Sequence, residues 1–155
     1  MGKLVMCRIY EVPWMGVEET CEFITRFLME NGDGMLGKIP TPSEVKNNPE
    51  RYYLLIDEER KEVLGVGAIY LRKGKLMKIA ISKKHRGKGL GRYLVGMLID
   101  IGIENEVTSF YAEVREDNVP MRNLLKSIGF VEDGEFITED GRRLIVYRLY
   151  YHKVR

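Results

Sequence analysis

One stretch of the chain determines how its strands can connect. Residues 76–81 and residues 107–114 are mostly apolar and read as strands. Between them, apolar residues recur at the spacing of a helix that ends near Gly102, namely Leu90, Leu94, Met97, Leu98 and Ile101. A strand–helix–strand order requires the two strands to run parallel, joined by a right-handed crossover.

The other predicted strands form antiparallel hairpins around this step. Strands at residues 52–56 and 63–71 lead into the strand at 76–81 through short links, as in a meander. Residues 130–136 and 143–150 form a hairpin around Asp140-Gly141. A first strand is predicted at residues 3–10.

Three further helices complete the prediction. The first begins at Val17 and ends at Asn31-Gly32, the second opens at a capping box in residues 41–44, and the last ends at Gly129. The fold class is therefore α/β, with a single mixed, mostly antiparallel sheet that has one central parallel βαβ step and is flanked by helices. No linker or repeat interrupts the pattern, so residues 1–155 are expected to form a single domain.

The charges of the chain are segregated. The net charge is only +2, from 25 Lys and Arg against 23 Asp and Glu. Residues 63–99 contain nine basic residues and no acid, which leaves 16 bases against the 23 acids elsewhere, a balance of −7. Such a remainder would repel a long polyanion, so a nucleic-acid-binding module is the weaker alternative.

The basic segment is densest at residues 82–92, between a strand end and a helix start. Gly87, Gly89 and Gly91 remove Cβ atoms, so successive backbone amides can converge on one anion in front of the helix dipole. The spacing matches neither the P-loop nor the Rossmann fingerprint. A phosphate or pyrophosphate site is indicated, and a solvated basic turn that caps a helix is the alternative.

Three motifs follow one another along this part of the chain in the order found in the GNAT superfamily of N-acetyltransferases, and they resemble the motifs of that superfamily. The segment Arg86-Gly87-Lys88-Gly89-Leu90-Gly91 matches the superfamily signature R/Q-x-x-G-x-G/A. The strand Lys78-Ile79-Ala80-Ile81 before it is also similar, as are Glu113-Val114-Arg115, Asn118 and Ile128-Gly129-Phe130 after it. The resemblance covers residues 62–136. It implies a GNAT-like acyl-CoA N-acyltransferase fold and acetyl transfer from acetyl-CoA to a primary amine, without a metal.

The resemblance also implies roles for particular residues. Glu113 would be the catalytic base, with an ion pair to Arg115 or another surface base as the alternative. Asn118 would contact the co-substrate, cap the following helix, or do both. The implied acetyl-CoA-binding residues are Ile79, Ala80, Ile81, Arg86, Gly87, Lys88, Gly89, Leu90, Gly91, Arg92 and Asn118.

One position departs from the superfamily pattern. Many relatives place a proton-donating Tyr seven residues after the helix-starting Asn, where this chain has Leu125 on an apolar stripe. Leu125 is expected to pack in the core, which leaves Tyr111 and Tyr147 among the candidate acids. A catalytically weak acyl-CoA sensor and transfer of a larger acyl group remain alternatives.

The resemblance also implies that the acceptor enters between the first two helices and the last hairpin, which here are residues 32–49 and 135–143. The acids in these two regions favour a cationic amine on a small molecule or a protein. Neither nucleic acid nor a membrane is an expected partner, and a homodimer is left open.

A zinc site is not expected, because the ligand spacing of zinc sites is missing among Cys7, Cys21, His85 and His152. Without a signal peptide or a long apolar run, a cytoplasmic location is expected.

Overall fold

The computed structural model describes residues 2–33 and 37–151. Within these ranges the chain forms seven strands, four α-helices and a short 3₁₀ helix at Lys83–His85. The strands are β1 (Leu4–Arg8), β2 (Tyr52–Asp57), β3 (Glu62–Tyr70), β4 (Lys75–Ile81), β5 (Ser109–Arg115), β6 (Val131–Ile137) and β7 (Arg143–Tyr150). The helices are α1 (Val17–Asn31), α2 (Pro42–Asn47), α3 (Leu90–Glu104) and α4 (Val119–Ile128).

All seven strands belong to one sheet, in the order β1-β2-β3-β4-β5-β7-β6. The pair β4–β5 is parallel, and α3 connects its two strands, while the other five pairs are antiparallel. The predicted mixed sheet with a central parallel step is therefore confirmed. None of the helices in the described ranges is long and apolar enough to cross a bilayer.

The parallel pair is closed at one end and open at the other. Among the described residues, β4 and β5 pair only at Lys75 and Tyr111, beside a hydrogen bond of 2.9 Å from the Tyr111 N–H to the Gly74 carbonyl. Gly74 has φ +69°, and a Cβ there would lie 2.1 Å from the Ser109 carbonyl oxygen. This close backbone approach requires glycine. Beyond it β4 and β5 no longer pair, and a gap opens in the middle of the sheet.

A β-bulge bends β4 next to this gap. Val66 pairs with Ala80 and Ala68 pairs with Met77, so two residues of β4, Lys78 and Ile79, face one residue of β3. Lys78 has φ +54°, in the left-handed region that non-glycine residues seldom occupy. Bulges re-aim side chains and occur often beside active sites.

The sheet separates two hydrophobic cores. Leu94 and Leu98 of α3 pack on one face with Phe110 of β5, while Ile24 and Leu28 of α1 pack on the other. The neighbours Tyr52 and Tyr53 point into different cores, because successive side chains of a strand lie on opposite faces of the sheet. Both cores are built on β2 and β3 and hold β4 in place beside the gap.

The predicted end of α3 near Gly102 was two residues too early. A Cβ on Gly102 would lie 2.3 Å from Cε1 of Phe110, so this glycine lets α3 approach β5 rather than ending the helix. The helix continues to Glu104, and β5 starts at Ser109 instead of residue 107.

Candidate active site

A cleft of about 1220 Å³ occupies the gap between β4 and β5. Its walls come from β4, β5, the basic loop before α3, the start of α4, the chain between α1 and α2, and the β6–β7 hairpin. Segments distant in sequence, including both regions expected to admit the acceptor, thus meet at one site. Residues 34–36, between α1 and α2, lie outside the described ranges, as does His152.

Most of the twelve residues that the resemblance implies for catalysis or acetyl-CoA binding line this cleft. Lys88 and Arg92 are the two that do not, since the Lys88 Nζ lies 3.5 Å from the His85 Nδ1 and the Arg92 Nη1 donates to the Ser127 Oγ at 3.2 Å. Those that line it are Ile79, Ala80, Ile81, Arg86, Gly87, Gly89, Leu90, Gly91, Glu113 and Asn118.

The glycine loop ends directly at α3. Gly87 and Gly89 both have φ +80°, and nothing lies within 4 Å of the position where either would carry a Cβ. Gly89 is the N-cap of α3 and supplies no side-chain hydrogen bond to the first turn. The amides of that turn and the positive end of the helix dipole therefore face open space, which suits an anionic group.

Arg86 ties this loop to the end of α1. Its guanidinium donates to the carbonyl oxygens of Asn31 (2.8 Å) and Ile81 (3.2 Å) and lies 3.4 Å from the Asp33 carboxylate. The Asn31 side chain in turn accepts a hydrogen bond of 2.9 Å from the Lys83 N–H. The Arg86 side chain thus holds two walls of the cleft together.

Glu62, at the start of β3, contacts the 3₁₀ turn before the glycine loop, and the sequence analysis missed it. It hydrogen-bonds His85 at 3.0 Å and Lys84 at 3.3 Å, and the His85 bond is the main reason that the pKa of Glu62 lies below its ordinary value. This carboxylate fixes the 3₁₀ turn that precedes the glycine loop. Its partner His85 is 23 positions away, so no local pattern pointed to it.

Glu113 faces the cleft from β5 and is partly exposed. Its carboxylate lies 3.3 Å from the Lys75 Nζ, across the point where β4 and β5 still touch. The alternative ion pair expected in the sequence therefore exists, but with Lys75 instead of Arg115, which pairs with Asp117 at 2.7 Å. An ion pair at the cleft wall leaves Glu113 oriented and reachable by water or an amine.

Lys78, at the bulge of β4, also lines the cleft. Its Nζ donates a hydrogen bond of 2.8 Å to the Lys38 carbonyl, so it contacts the chain between α1 and α2. Burial is the main cause that lowers the pKa of Lys78 below its ordinary value, and nearby Lys75 lowers it further. No sequence pattern distinguished Lys78 from the other lysines of β4.

The candidate proton donors lie elsewhere. Leu125 is fully buried in the core beside α3, as expected. The hydroxyl of Tyr147 accepts from the Arg122 Nε at 2.9 Å and donates to Glu132 at 3.3 Å, and the Tyr111 ring lies beside Lys75 and Arg148. In the described ranges, no tyrosine lines the cleft.

In the two regions expected to admit the acceptor, the acids that line the cleft are paired. Asp33 lies 3.4 Å from Arg86, and Asp140 lies 3.2 Å from Arg142. Glu44, Glu135 and Glu139 are not part of the described cleft wall. Within residues 2–33 and 37–151, no group of three or more His, Cys, Asp and Glu side chains could hold a metal ion.

The fold and the cleft define a class of mixed α/β proteins in which two parallel strands diverge in front of a basic glycine loop at a helix N-terminus. The chain belongs to the acetyltransferase (GNAT) family, whose family model matches residues 6–130. This confirms the resemblance seen in the sequence.

One curated relative is the spermidine N(1)-acetyltransferase of Vibrio cholerae serotype O1, which is 26% identical over 114 residues. The match covers 68% of this chain and 65% of that protein, just under two thirds of its length.

Solved structures show the same fold at lower identity. The protein yncA of Salmonella typhimurium, solved with its cofactor acetyl-CoA, has a TM-score of 0.74 at 17% identity, with 99% of this chain and 97% of that chain covered. The ribosomal-protein-S18-alanine N-acetyltransferase of Escherichia coli has a TM-score of 0.68 at 21% identity, covering 100% and 97%.

Proposed function

We propose that this protein transfers the acetyl group of acetyl-CoA to a primary amine by direct attack, with both substrates bound at once. The observation that carries the proposal is the gap between β4 and β5, with the glycine loop at one end and Glu113 near the other. Membership of the acetyltransferase family supports the reaction, and the acetyl-CoA bound to yncA supports the co-substrate.

Residues 86–91 form one end of the cleft, called the loop end here. The loop end fits the pyrophosphate of CoA. The open space in front of Gly87 and Gly89 leaves room for phosphate oxygens beside the first amides of α3. Because Arg86 is engaged with the end of α1, the backbone amides are the principal donors in this proposal. Lys88 and Arg92 supply positive charge from outside the cleft wall.

The backbone of β4 fits the pantetheine arm. Ile79, Ala80 and Ile81 line the cleft, and in the described part of β5 no residue pairs with them. An extended chain laid along this edge would continue the sheet as a short extra strand. Acetyl-CoA supplies an activated thioester, and one backbone N–H of this edge would polarise its carbonyl.

Asn118 contributes to both structure and binding in this proposal. Its side-chain oxygen accepts from the Met121 N–H at 3.3 Å and so caps α4. The side-chain NH₂ is a separate donor, and the residue lines the cleft. Capping α4 therefore does not prevent Asn118 from contacting the co-substrate.

Glu113 would accept the proton of the attacking amine. An alkylammonium has a pKa of about 10, so a base must free the amine lone pair near neutral pH. Glu113 is held by Lys75 at the cleft wall and can act directly or through a water molecule. A thiol has a pKa of about 8.5, so the thiolate can leave without a donor in the place of Leu125.

A thiol-release assay with acetyl-CoA against a panel of amines, amino acids, polyamines and N-terminal peptides tests the proposal. We expect release that depends on the acceptor, together with an acetylated product seen by mass spectrometry. Parallel assays with propionyl-CoA and succinyl-CoA identify the acyl group. Binding of CoA without release on any acceptor would support an acyl-CoA sensor instead.

A further inference from the structure

We propose that the acceptor is a primary amine that also carries an apolar group, alkyl or aryl, and that Phe136 of β6 binds this group. The inference rests on the proposed acetyl transfer and names the substrate class of the same cleft. Phe136 lines the cleft and is 41% exposed.

One face of the β6–β7 hairpin forms the cleft wall that carries Phe136. Every second residue from Phe136 to Leu144 lines the cleft, and the residues between them do not. Phe136 and Leu144 pair across the two strands, so their side chains lie on the same face. The hairpin thus turns five side chains toward the cleft, namely Phe136, Thr138, Asp140, Arg142 and Leu144.

The polar side chains of this wall are engaged with each other. The Asp140 carboxylate lies 3.2 Å from the Arg142 guanidinium and also accepts a hydrogen bond from the Thr138 hydroxyl. The Thr138 Oγ accepts in turn from the Arg142 N–H at 3.0 Å. Because Leu144 is buried, the Phe136 ring supplies the exposed apolar surface of the wall.

Neither core packing nor the proposed co-substrate accounts for Phe136. All seven residues of β6 are exposed, and among the described residues neither hydrophobic core includes any of them. The proposed pantetheine arm lies along β4, whereas β6 is two strands beyond β5. Large aromatic side chains that remain exposed at a cleft wall are typical of ligand-binding surfaces.

Phe136 lies on the same face of the sheet as Glu113. Leu144 pairs with Phe136 on one side and with Arg115 on the other. Glu113 is two residues before Arg115 and therefore shares that face. Strand spacing and rise per residue place the Cα atoms of Glu113 and Phe136 about 12 Å apart.

The path between these two side chains crosses β7. On this face β7 contributes Leu144 and Val146, which are both apolar. An amine held at Glu113 would therefore extend over an apolar strand surface before it meets the Phe136 ring. Short amines end before the ring, so the contact depends on the length of the apolar group.

The charges of the cleft wall agree with an apolar extension. Each of the four carboxylates in the described wall lies 3.4 Å or less from a cation, in the pairs Asp33–Arg86, Glu113–Lys75, Asp117–Arg115 and Asp140–Arg142. A second ammonium, as in a polyamine, would have to compete with these cations for a carboxylate. An apolar group needs no such partner.

Primary amines that differ in their apolar length test this inference. Unbranched alkylamines from ethylamine to hexylamine, together with phenethylamine and cadaverine, are assayed for thiol release with acetyl-CoA. We expect kcat/KM to rise about threefold for each methylene once the chain reaches Phe136. Pentylamine should exceed cadaverine, its counterpart with a second ammonium, by about tenfold or more.

Variants of Phe136 separate this contact from the rest of the cleft. Phe136→Ala should flatten the rise with chain length, mainly through KM, because the longer amines lose their contact. Phe136→Asp should reverse the preference in favour of cadaverine. CoA titration calorimetry shows whether each variant is folded, and Phe136→Leu, which should keep part of the rise, provides a second test if Phe136→Ala is not.

Ile137→Ala is the matched control. Ile137 is the next residue of β6, is 71% exposed and does not line the cleft, because it lies on the opposite face of the strand. The variant removes a similar amount of exposed apolar surface from the same strand. We expect it to keep the wild-type dependence on chain length.

Three results would overturn the inference while leaving acetyl transfer intact. The first is a kcat/KM that does not rise with apolar length, and the second is a rise that survives unchanged in Phe136→Ala. The third is a wild-type dimer, seen by light scattering, that Phe136→Ala converts to a monomer without a change in acceptor preference, since the ring would then belong to an interface between copies. Absence of thiol release with every acceptor would overturn the proposed function and this inference together.

Discussion

At the scale of single residues, an ion pair holds Glu113, the proposed base, at the wall of the cleft. It lies on β5 where β4 and β5 still touch, and its ion pair with Lys75 spans the closed end of the gap. Such a half-exposed pair contributes little to stability but restricts the direction of the carboxylate. The role of Glu113 should therefore appear in the rate rather than in the folding of the protein.

Glu113→Gln removes the proposed base and keeps the shape of the side chain. We expect the rate of acetyl transfer to fall by about a hundredfold or more, with CoA affinity nearly unchanged, because general bases contribute on that order. Steady-state kinetics and CoA calorimetry measure the two effects. Glu104→Gln, at the end of α3, is the matched control, and a Glu113→Gln rate equal to that of the control would exclude this role.

Asp57 is a buried carboxylate at the end of β2 whose effect depends on pH. Burial opposes its charged form, but backbone N–H donors at Arg60 and Gly2, and the Arg60 guanidinium, prevail and lower its pKa. Because the pKa is lower in the folded state, the stabilisation is present above the unfolded-state pKa and is lost as the pH falls through the folded-state value.

Thermal unfolding of Asp57→Asn across pH tests this effect. The variant should melt below the wild type at neutral pH, and the difference should shrink as the pH drops below about 4. The exposed Asp100→Asn serves as the control for charge. A difference in Tm that stays constant from neutral to acidic pH would contradict the lowered pKa.

Single residues were predictable where their role depends on local pattern. Leu125 lies on an apolar stripe of its own helix, and its burial followed from that stripe. The contacts of Lys78, Arg86 and Glu62 span 40, 55 and 23 positions along the chain. Contacts of this range depend on how the strands are placed, so the sequence pattern alone did not reveal them.

At the scale of elements, the cleft is made by irregularities in a regular sheet. Gly74 allows β4 and β5 to touch, the bulge at Lys78 bends β4, and the glycine loop then begins α3. Each of these backbone positions has positive φ. A side chain added at the loop would oppose the conformation that the proposed pyrophosphate site needs.

Gly89→Ala tests the loop directly. A Cβ would meet no atom within 4 Å, so the substitution acts through φ +80° alone, and we expect CoA affinity to fall about tenfold. Gly96→Ala lies within α3, also has open space around its Cβ, and should keep CoA affinity while raising Tm slightly. Equal affinity in Gly89→Ala and the wild type would argue against phosphate binding at this loop.

The elements themselves were largely predictable because their signals are local. Apolar spacing placed α3 and α4, and the capping interaction of Thr41 with the Glu44 N–H is present at 3.1 Å. The end of α3 was misplaced because Gly102 serves packing against Phe110, and the bulge at Lys78 carries no sequence signal. Tertiary packing determines features of this second kind.

At the scale of the whole molecule, the fold uses the segregated charge at several places. Two carboxylates from other elements neutralise part of the basic segment. Glu62 of β3 pairs with the 3₁₀ turn, and Asp33, after α1, pairs with the same turn and with Arg86. The acidic remainder was expected to face the amine, but the described cleft wall carries more cations than carboxylates. Net charge per segment pointed to the loop of the proposed pyrophosphate site, whereas the charge of the rest of the cleft wall depends on which side chains the fold brings together.

The measurement that tests the central claim most directly is the initial rate of thiol release as acetyl-CoA and a reactive amine are varied together. The proposed ternary complex predicts intersecting double-reciprocal lines, one acetylated amine per thiol released, and no release from acetyl-CoA without the amine. Parallel lines with an acetylated enzyme, or thiol release that does not depend on any amine, would contradict direct transfer in this cleft.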